Sequence, residues 1–276
     1  MRASNSGWRH SQDGGDLVAT TSLRQGAKAR SARKALVTGG SSGIGAATAR
    51  AFAGRGFEVV IAGRDHDALK KVAADTGGPY VAGDLREPGV PERIVQEAAA
   101  ALGGLDVVVS NAGAGWSGPF ASMTDVEIDA LLDVNLRAGA HLTKAALRYL
   151  PAGSGHLVFT GSIAGLVGVP DEVWYSATKA GLGTFASALR TELRPSGICV
   201  TLVSPGVVDT AFFDRRAAPY TRHHPRPISA QVVADAIVAA VEHRRDEIIL
   251  PGWLSLPARL RMNFPSLYRL LERQFA

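Results

Sequence analysis

Seven short apolar runs punctuate the chain, at residues 35–38, 58–62, 80–82, 106–110, 156–160, 198–203 and 247–250. Within each run consecutive positions are apolar instead of alternating, which is the pattern of a strand covered on both faces. Between them lie longer segments whose apolar residues recur at helical spacing, among them 124–149 and 175–194. Regular alternation of strand and helix predicts an α/β fold in one domain, with a mostly parallel seven-stranded sheet and helices on both faces. Ligands of such doubly wound sheets bind outside the carboxyl ends of the strands, near the point where the strand order reverses. Residues 34–251 hold this pattern. Residues 211–228, with Phe212, Phe213, three prolines and several arginines, break it and read as a substrate lid after the sixth strand.

Charge divides the chain differently. The formal net charge of +5 is misleading, because residues 1–34 alone hold seven Lys/Arg against two Asp/Glu. Residues 35–276 hold twenty-three of each, so the folded part is neutral overall. The stretch 1–33 is rich in Ser, Gly and Arg and lacks apolar periodicity, so it reads as a disordered basic extension. A nucleic-acid or anionic-membrane arm is the alternative, and the sparse charge argues against it, so no nucleic-acid partner is expected. No apolar run reaches membrane-spanning length, and the N-terminus lacks the apolar core of a secretory signal. The single cysteine, Cys199, sits in the sixth apolar run and reads as a buried strand residue. These features suit a cytoplasmic protein. The histidines show no metal-ligand spacing, so no metal site is expected.

Two patterns carry chemistry. The first run ends at Thr38 and is followed by Gly39, Gly40, Ser41, Ser42, Gly43, Ile44 and Gly45, then by a helix of small residues. Strand, glycine-rich turn and helix N-terminus in that order form an anion cradle, since free backbone N–H groups and the helix dipole face the ligand together. Gly39 permits the tight turn, Gly43 the approach of a pyrophosphate, and Gly45 close helix–strand packing, as in a Rossmann-type dinucleotide site. The second pattern is Tyr175 with Lys179, four apart on one helix face, with Ser162 upstream. A phenol ordinarily ionises near about pH 10. A cation about 4 Å away contributes about 4 kcal/mol at an effective dielectric near 20, enough to bring that value toward neutrality. Lys179 is therefore expected to lower the Tyr175 pKa and make it a proton donor or acceptor.

Thr38-Gly-x-x-x-Gly43-Ile-Gly45, Asn111-Ala112-Gly113, Asn135, Ser162, Tyr175-x-x-x-Lys179 and Pro205-Gly206 occur in this order at ordinary spacing. Over about residues 34–251 the chain resembles the short-chain dehydrogenase/reductase superfamily. The resemblance implies that Tyr175 exchanges a proton with the substrate oxygen and that Ser162 stabilises charge on that oxygen. It implies that Lys179 also holds the cofactor ribose and that Asn135 belongs to a water relay reaching Lys179; local bonding within its helix is the alternative for Asn135. Thr38, Ser41 and Ser42 with the three glycines and Ile44 would surround the pyrophosphate. Asp84 and Leu85 would meet the adenine, although Asp84 could also cap the next helix. Asn111, Ala112 and Gly113 would run beneath the cofactor, although Asn111 could equally bridge strands. Pro205, Gly206, Val208 and Thr210 would hold the nicotinamide carboxamide. The resemblance also implies a homodimer or homotetramer pairing the helices at 124–149 and 175–194.

Cofactor choice follows from the end of the second run. Gly63 stands where a carboxylate would select NAD, and Arg64 can make charge-assisted bonds to a 2′-phosphate, so NADP(H) is preferred and NAD(H) remains an option. Trp116, Phe120, Leu166, Val169, Trp174, Phe212 and Phe213 lie in segments flanking the site, with Asp171 and Glu172 the charged exceptions. The expected substrate is an apolar ketone, aldehyde or secondary alcohol. A catalytically silent NADP-binding regulatory protein is the alternative, and the presence of both Tyr175 and Lys179 argues against it. The final stretch, 252–276, interleaves leucines and arginines, and Leu267, Leu270, Leu271 and Phe275 share a helical face. Packing of this amphipathic extension on protein is favoured over peripheral contact with a membrane.

Overall fold

Every apolar run becomes a strand of one parallel sheet in the computed structural model, which describes residues 32–216 and 225–275. The predicted disordered extension, apart from Ala32 and Arg33, and residues 217–224 of the predicted lid lie outside the described residues. The strands are β1 (Lys34–Thr38), β2 (Glu58–Gly63), β3 (Tyr80–Ala82), β4 (Val107–Ser110), β5 (His156–Thr160), β6 (Cys199–Pro205) and a last one at Glu247–Leu250. Their order is β3-β2-β1-β4-β5-β6 followed by that last strand, all pairs parallel. The order reverses between β1 and β4, so the carboxyl ends of these two strands flank the crevice where ligands bind.

Helices cover both faces. On one side are α1 (Gly43–Gly54) and α2 (His66–Thr76), joined later in the chain by a helix at Ala230–His243; Phe52, Leu69 and Ile237 are fully buried there. On the other side α3 (Val90–Leu102) packs with two later helices through Ile94, Leu142 and Leu182. Along β1, Ala35 and Val37 point into the first core and Leu36 into the second. Successive side chains of a strand point to opposite faces, so a strand with two cores beneath it must be apolar at every position. At the amino-terminal edge of the sheet, α2 and α3 end on left-handed glycines, Gly77 (φ 69°) and Gly103 (φ 69°), whose N–H groups close the last turn.

The structure departs from the sequence expectation at four places. The helix predicted over 124–149 is broken into α4 (Asp125–Leu132), a π-helical turn (Asp133–Arg137) and α5 (Ala138–Ala146). The sixth strand runs on to Pro205, and Cys199 at its start is half-buried instead of fully buried. The predicted lid is not wholly irregular. It contains a 3₁₀ turn (Phe213–Arg215), and Ile228–Ser229 pairs in parallel with Val208–Asp209 as a two-stranded ribbon. After β5 come α6 (Ile163–Val167) and the long α7 (Val173–Leu193), which starts two residues before the predicted helix. In chain order, the ribbon strands are β7 (Val208–Asp209) and β8 (Ile228–Ser229), the covering helix at Ala230–His243 is α8, and the last sheet strand is β9 (Glu247–Leu250). The chain ends in α9 (Ser255–Asn263) and α10 (Pro265–Phe275). No described helix is long and apolar enough to cross a membrane.

Candidate active site

The crevice is built around the Thr38 hydroxyl. It accepts from the backbone N–H of Asn111 (3.1 Å) and Ala112 (3.2 Å) and donates to the Val109 carbonyl (3.2 Å), which fixes the end of β1 to the end of β4. Asn111 extends the tie: its amide donates to the Thr38 carbonyl (3.0 Å) and accepts from the Thr160 hydroxyl (3.2 Å). Of the two roles the sequence leaves open for Asn111, these bonds are those of a bridge across β1, β4 and β5. Gly39 has φ +65°, and a Cβ there would lie 2.9 Å from Ala112 Cα. A Cβ on Gly45 would lie 2.1 Å from the Gly39 carbonyl oxygen, so helix and turn touch backbone to backbone. Ser42 caps α1 in an extended conformation with no side-chain bond to the first turn, and that turn holds no acidic residue. The first-turn N–H groups of Gly43, Ile44 and Gly45 therefore present a cradle suited to an anionic group. Thr210 closes on this cradle, its methyl 3.1 Å from where a Gly43 Cβ would stand, and Arg215 donates to the Ser42 hydroxyl (3.2 Å).

At the end of β2 the Gly63 position faces the Ser41 side chain, and Arg64 is exposed. The Asp84 carboxylate is held by Arg86 at 2.6 Å and approached by Arg64 at 3.6 Å. The Arg86 hydrogen bond is the main cause that lowers its pKa to about 2. Asp84 is thus an arginine partner, and its carboxylate also accepts from the Arg86 N–H (3.0 Å). Leu85 lies in the hydrophobic core beside Val81 and Ile94. Pro205 ends β6, Gly206 donates to the Leu250 carbonyl (2.6 Å), and Val208 is buried.

On the other side of the crevice, Tyr175 and Lys179 stand one turn apart on α7, both nearly buried at 8% and 6% exposure. Ser162 is the N-cap of α6 and accepts from Ala164 N (3.1 Å), and its hydroxyl lies near enough to the Tyr175 hydroxyl to lower that group's pKa. The expected tuning of Tyr175 by Lys179 is not found. The Lys179 ammonium donates to the Thr160 carbonyl (2.8 Å) and sits 5.9 Å from the Tyr175 ring centroid, above the ring. Burial dominates both groups: it pushes the Tyr175 hydroxyl up to about 12, against the lowering effect of the Ser162 hydroxyl, and Lys179 down to about 8. Asn135 is buried in the π-helical turn. Its amide donates to the Ala114 carbonyl (3.0 Å) and the Thr178 hydroxyl (3.1 Å), and accepts from Ala114 N (2.9 Å). The extra residue of the turn aims Asn135 away from its own helix, so the local-bonding alternative fails. Gly113 fits between this amide and Lys179: a Cβ there would lie 3.0 Å from Asn135 Oδ1 and 3.4 Å from Lys179 Nζ.

An apolar cluster surrounds the Tyr175 ring. It comprises Trp116, Met123, Leu131 and Ala164, with Trp174 and Phe212 packed against it. Of the predicted pocket residues, Trp116, Val169, Trp174 and Phe212 assemble here, and Phe213 touches Phe212 edge-on at 5.4 Å. Phe120 is exposed on a 3₁₀ turn. Three features were missed in the sequence. Thr178 links Asn135 to the Tyr175 carbonyl (2.8 Å), Thr160 supplies the carbonyl for Lys179, and Glu172 forms an ion pair with Arg216, whose side chain is almost fully buried. Thr178 and Thr160 adjoin residues the motifs already mark. Glu172 and Arg216 pair across forty-four positions and carry no local signal.

Comparison with known proteins agrees with this geometry. The family description "short chain dehydrogenase" matches residues 33–220. An uncharacterized oxidoreductase of Staphylococcus aureus (strain MRSA252) is 36% identical over 211 residues, covering 75% of this chain and 90% of that protein. A short chain dehydrogenase from Burkholderia cenocepacia J2315, solved in complex with NADP, superposes with a TM-score of 0.73 at 33% identity, over 80% of this chain and 96% of that one. A short chain dehydrogenase/reductase from Burkholderia phymatum in complex with NAD shares the fold at a TM-score of 0.77 and 24% identity, over 86% of this chain and 95% of that one. A parallel sheet that gathers a glycine cradle and a Tyr–Lys helix at one crevice, together with this likeness along most of the chain, decides the matter: the chain belongs to the short-chain dehydrogenase/reductase superfamily of oxidoreductases.

Proposed function

We propose that the protein catalyses NADPH-dependent reduction of an apolar ketone or aldehyde, or the reverse oxidation of a secondary alcohol. The observation that carries this reading is the Tyr175 hydroxyl, set beside Ser162 and one turn from Lys179 inside an aromatic and aliphatic cluster. The glycine cradle fits a dinucleotide pyrophosphate, because each close approach there would be filled by a Cβ. A bound nicotinamide supplies the hydride to the carbonyl carbon. Tyr175 gives its proton to the carbonyl oxygen as charge develops there, and Ser162 donates a hydrogen bond to the same oxygen. A hydroxyl pushed up by burial stays protonated at neutral pH and so has a proton to give to a developing alkoxide. Trp116 and Phe212 keep water from the reacting atoms. Glu172 and Arg216 satisfy one another, so the pocket does not call for a charged substrate.

Arg64 supports NADP(H) over NAD(H), since it is an exposed cation at the end of β2 and Gly63 itself carries no carboxylate at the strand end. The NADP bound in the Burkholderia cenocepacia relative is consistent with that choice. NADPH oxidation against a graded set of apolar and polar carbonyls tests the reading. Turnover is expected to rise with substrate apolarity, and activity with none of them would overturn it. Tyr175→Phe is expected to lower kcat by at least about 10²-fold while NADPH still binds; retained turnover would remove Tyr175 from the chemistry.

A further inference from the structure

The C-terminal helices are seated with their greasy side outward. Leu254 is buried against Gly206, and Arg261 donates to the Leu166 carbonyl (2.9 Å), so the start of the segment is anchored to the domain. Tyr268 and Arg269 of α10 line a groove of about 560 Å³ against Val169 and Val173. Tyr268 and Arg269 therefore face the body, and Leu267 and Leu270 on the opposite side are 47% and 57% exposed. Trp253, Leu256, Met262 and Phe264 of the same C-terminal segment are 59% to 77% exposed. These six make up over half of the exposed large hydrophobics of the described residues, all within eighteen positions, and such a cluster marks a contact surface.

Charge selects the occupant. Residues 252–276 hold four arginines and one acidic residue, Glu272, whereas residues 35–251 hold nineteen Lys/Arg against twenty-two Asp/Glu. A second copy meeting this patch across a two-fold axis would set one basic segment against another. An anionic lipid surface complements both features, with the exposed Arg259 at the headgroups, apolar side chains at the acyl boundary and Trp253 at the interface between them. We propose that α9 and α10 dock the enzyme peripherally on anionic membranes.

Co-sedimentation of the full chain with phosphatidylcholine vesicles, with and without phosphatidylglycerol, tests this. Binding is expected only with phosphatidylglycerol, weakening as salt is raised. Leu267→Asp/Leu270→Asp is expected to bind at least about tenfold more weakly, with an unchanged circular dichroism spectrum. Arg259→Gln/Arg273→Gln leaves the apolar face and the body-facing Arg261 and Arg269 intact and is expected to lose the preference for anionic vesicles, which keeps the test valid if the aspartate variant misfolds. Failure of the wild-type chain to sediment with anionic vesicles overturns the proposal, as does equal binding by both variants. A dimer that dissociates in the leucine variant, without vesicle binding by the wild type, would assign the patch to a second copy instead.

Discussion

Lys179 is an ammonium buried at a cost, and that cost should be measurable as a pH-dependent stability. Its ordinary value of 10.5 falls to about 8 in the folded chain because burial disfavours the charged form. At about pH 7 both folded and unfolded chains carry the proton, and the difference in affinity amounts to a penalty of about 3 kcal/mol on the native state. The folded value lies below the unfolded one, so the unfolded chain binds more protons between about 8 and 10.5. Stability from this group therefore rises with pH through that window, and the penalty is complete below it. Tyr175 is pushed the other way, from 10.0 to about 12, and its small contribution near pH 9.5 is shared by the wild type and the variant and cancels between them. Urea unfolding of the wild type and of Lys179→Met at about pH 7 and about pH 9.5 isolates the effect. The wild type should gain about 2 kcal/mol relative to the variant across that interval. The lost bond to the Thr160 carbonyl cancels in the comparison, since it is absent from the variant at both pH values. Parallel pH dependence in the two proteins would refute the reasoning and mean that Lys179 reaches solvent.

Three further outcomes follow from the geometry. Gly45→Ala places a methyl 2.1 Å from the Gly39 carbonyl oxygen, and it should cost about 1–3 kcal/mol and abolish the NADPH-induced rise in Tm; an undiminished rise in a thermal-shift assay would show that the cradle is not the cofactor site. Glu172→Gln withdraws the carboxylate from a guanidinium that is 5% exposed and should destabilise the fold by about 3 kcal/mol in urea at neutral pH. A wild-type midpoint would mean that the pair contributes nothing. Arg64→Ala should raise the KM for NADPH about tenfold and leave that for NADH unchanged, and equal effects on both would place Arg64 away from the 2′-phosphate.

The strands were legible because two cores leave each of them no polar position, as Ala35, Leu36 and Val37 demonstrate between them. The glycine turn was legible because contacts as close as Gly45 to Gly39 exclude any other residue. What the sequence hid was set by distant partners. Nothing in the composition of Asp133–Arg137 breaks a helix; the π-helical turn accompanies an Asn135 amide that satisfies Ala114 and Thr178. The spacing of Tyr175 and Lys179 placed them on one face, as found, but it could not reveal that Thr160 would take the ammonium and leave the phenol in an apolar shell. Arg216 likewise faces inward, against Glu172 and over the Phe213 ring, partners that no local pattern announces.

The placement of all this chemistry at the carboxyl edge of the sheet leaves the other edge to connection alone. There the chain turns on left-handed glycines such as Gly77, Gly103 and Gly153, where an added Cβ would meet open space or a single lysine tip. That edge is the natural handle for the molecule. A fluorophore on Ser154→Cys or a tether near Gly77 would leave the crevice and the C-terminal helices untouched, so turnover and vesicle binding could be followed in the same molecule without disturbing either.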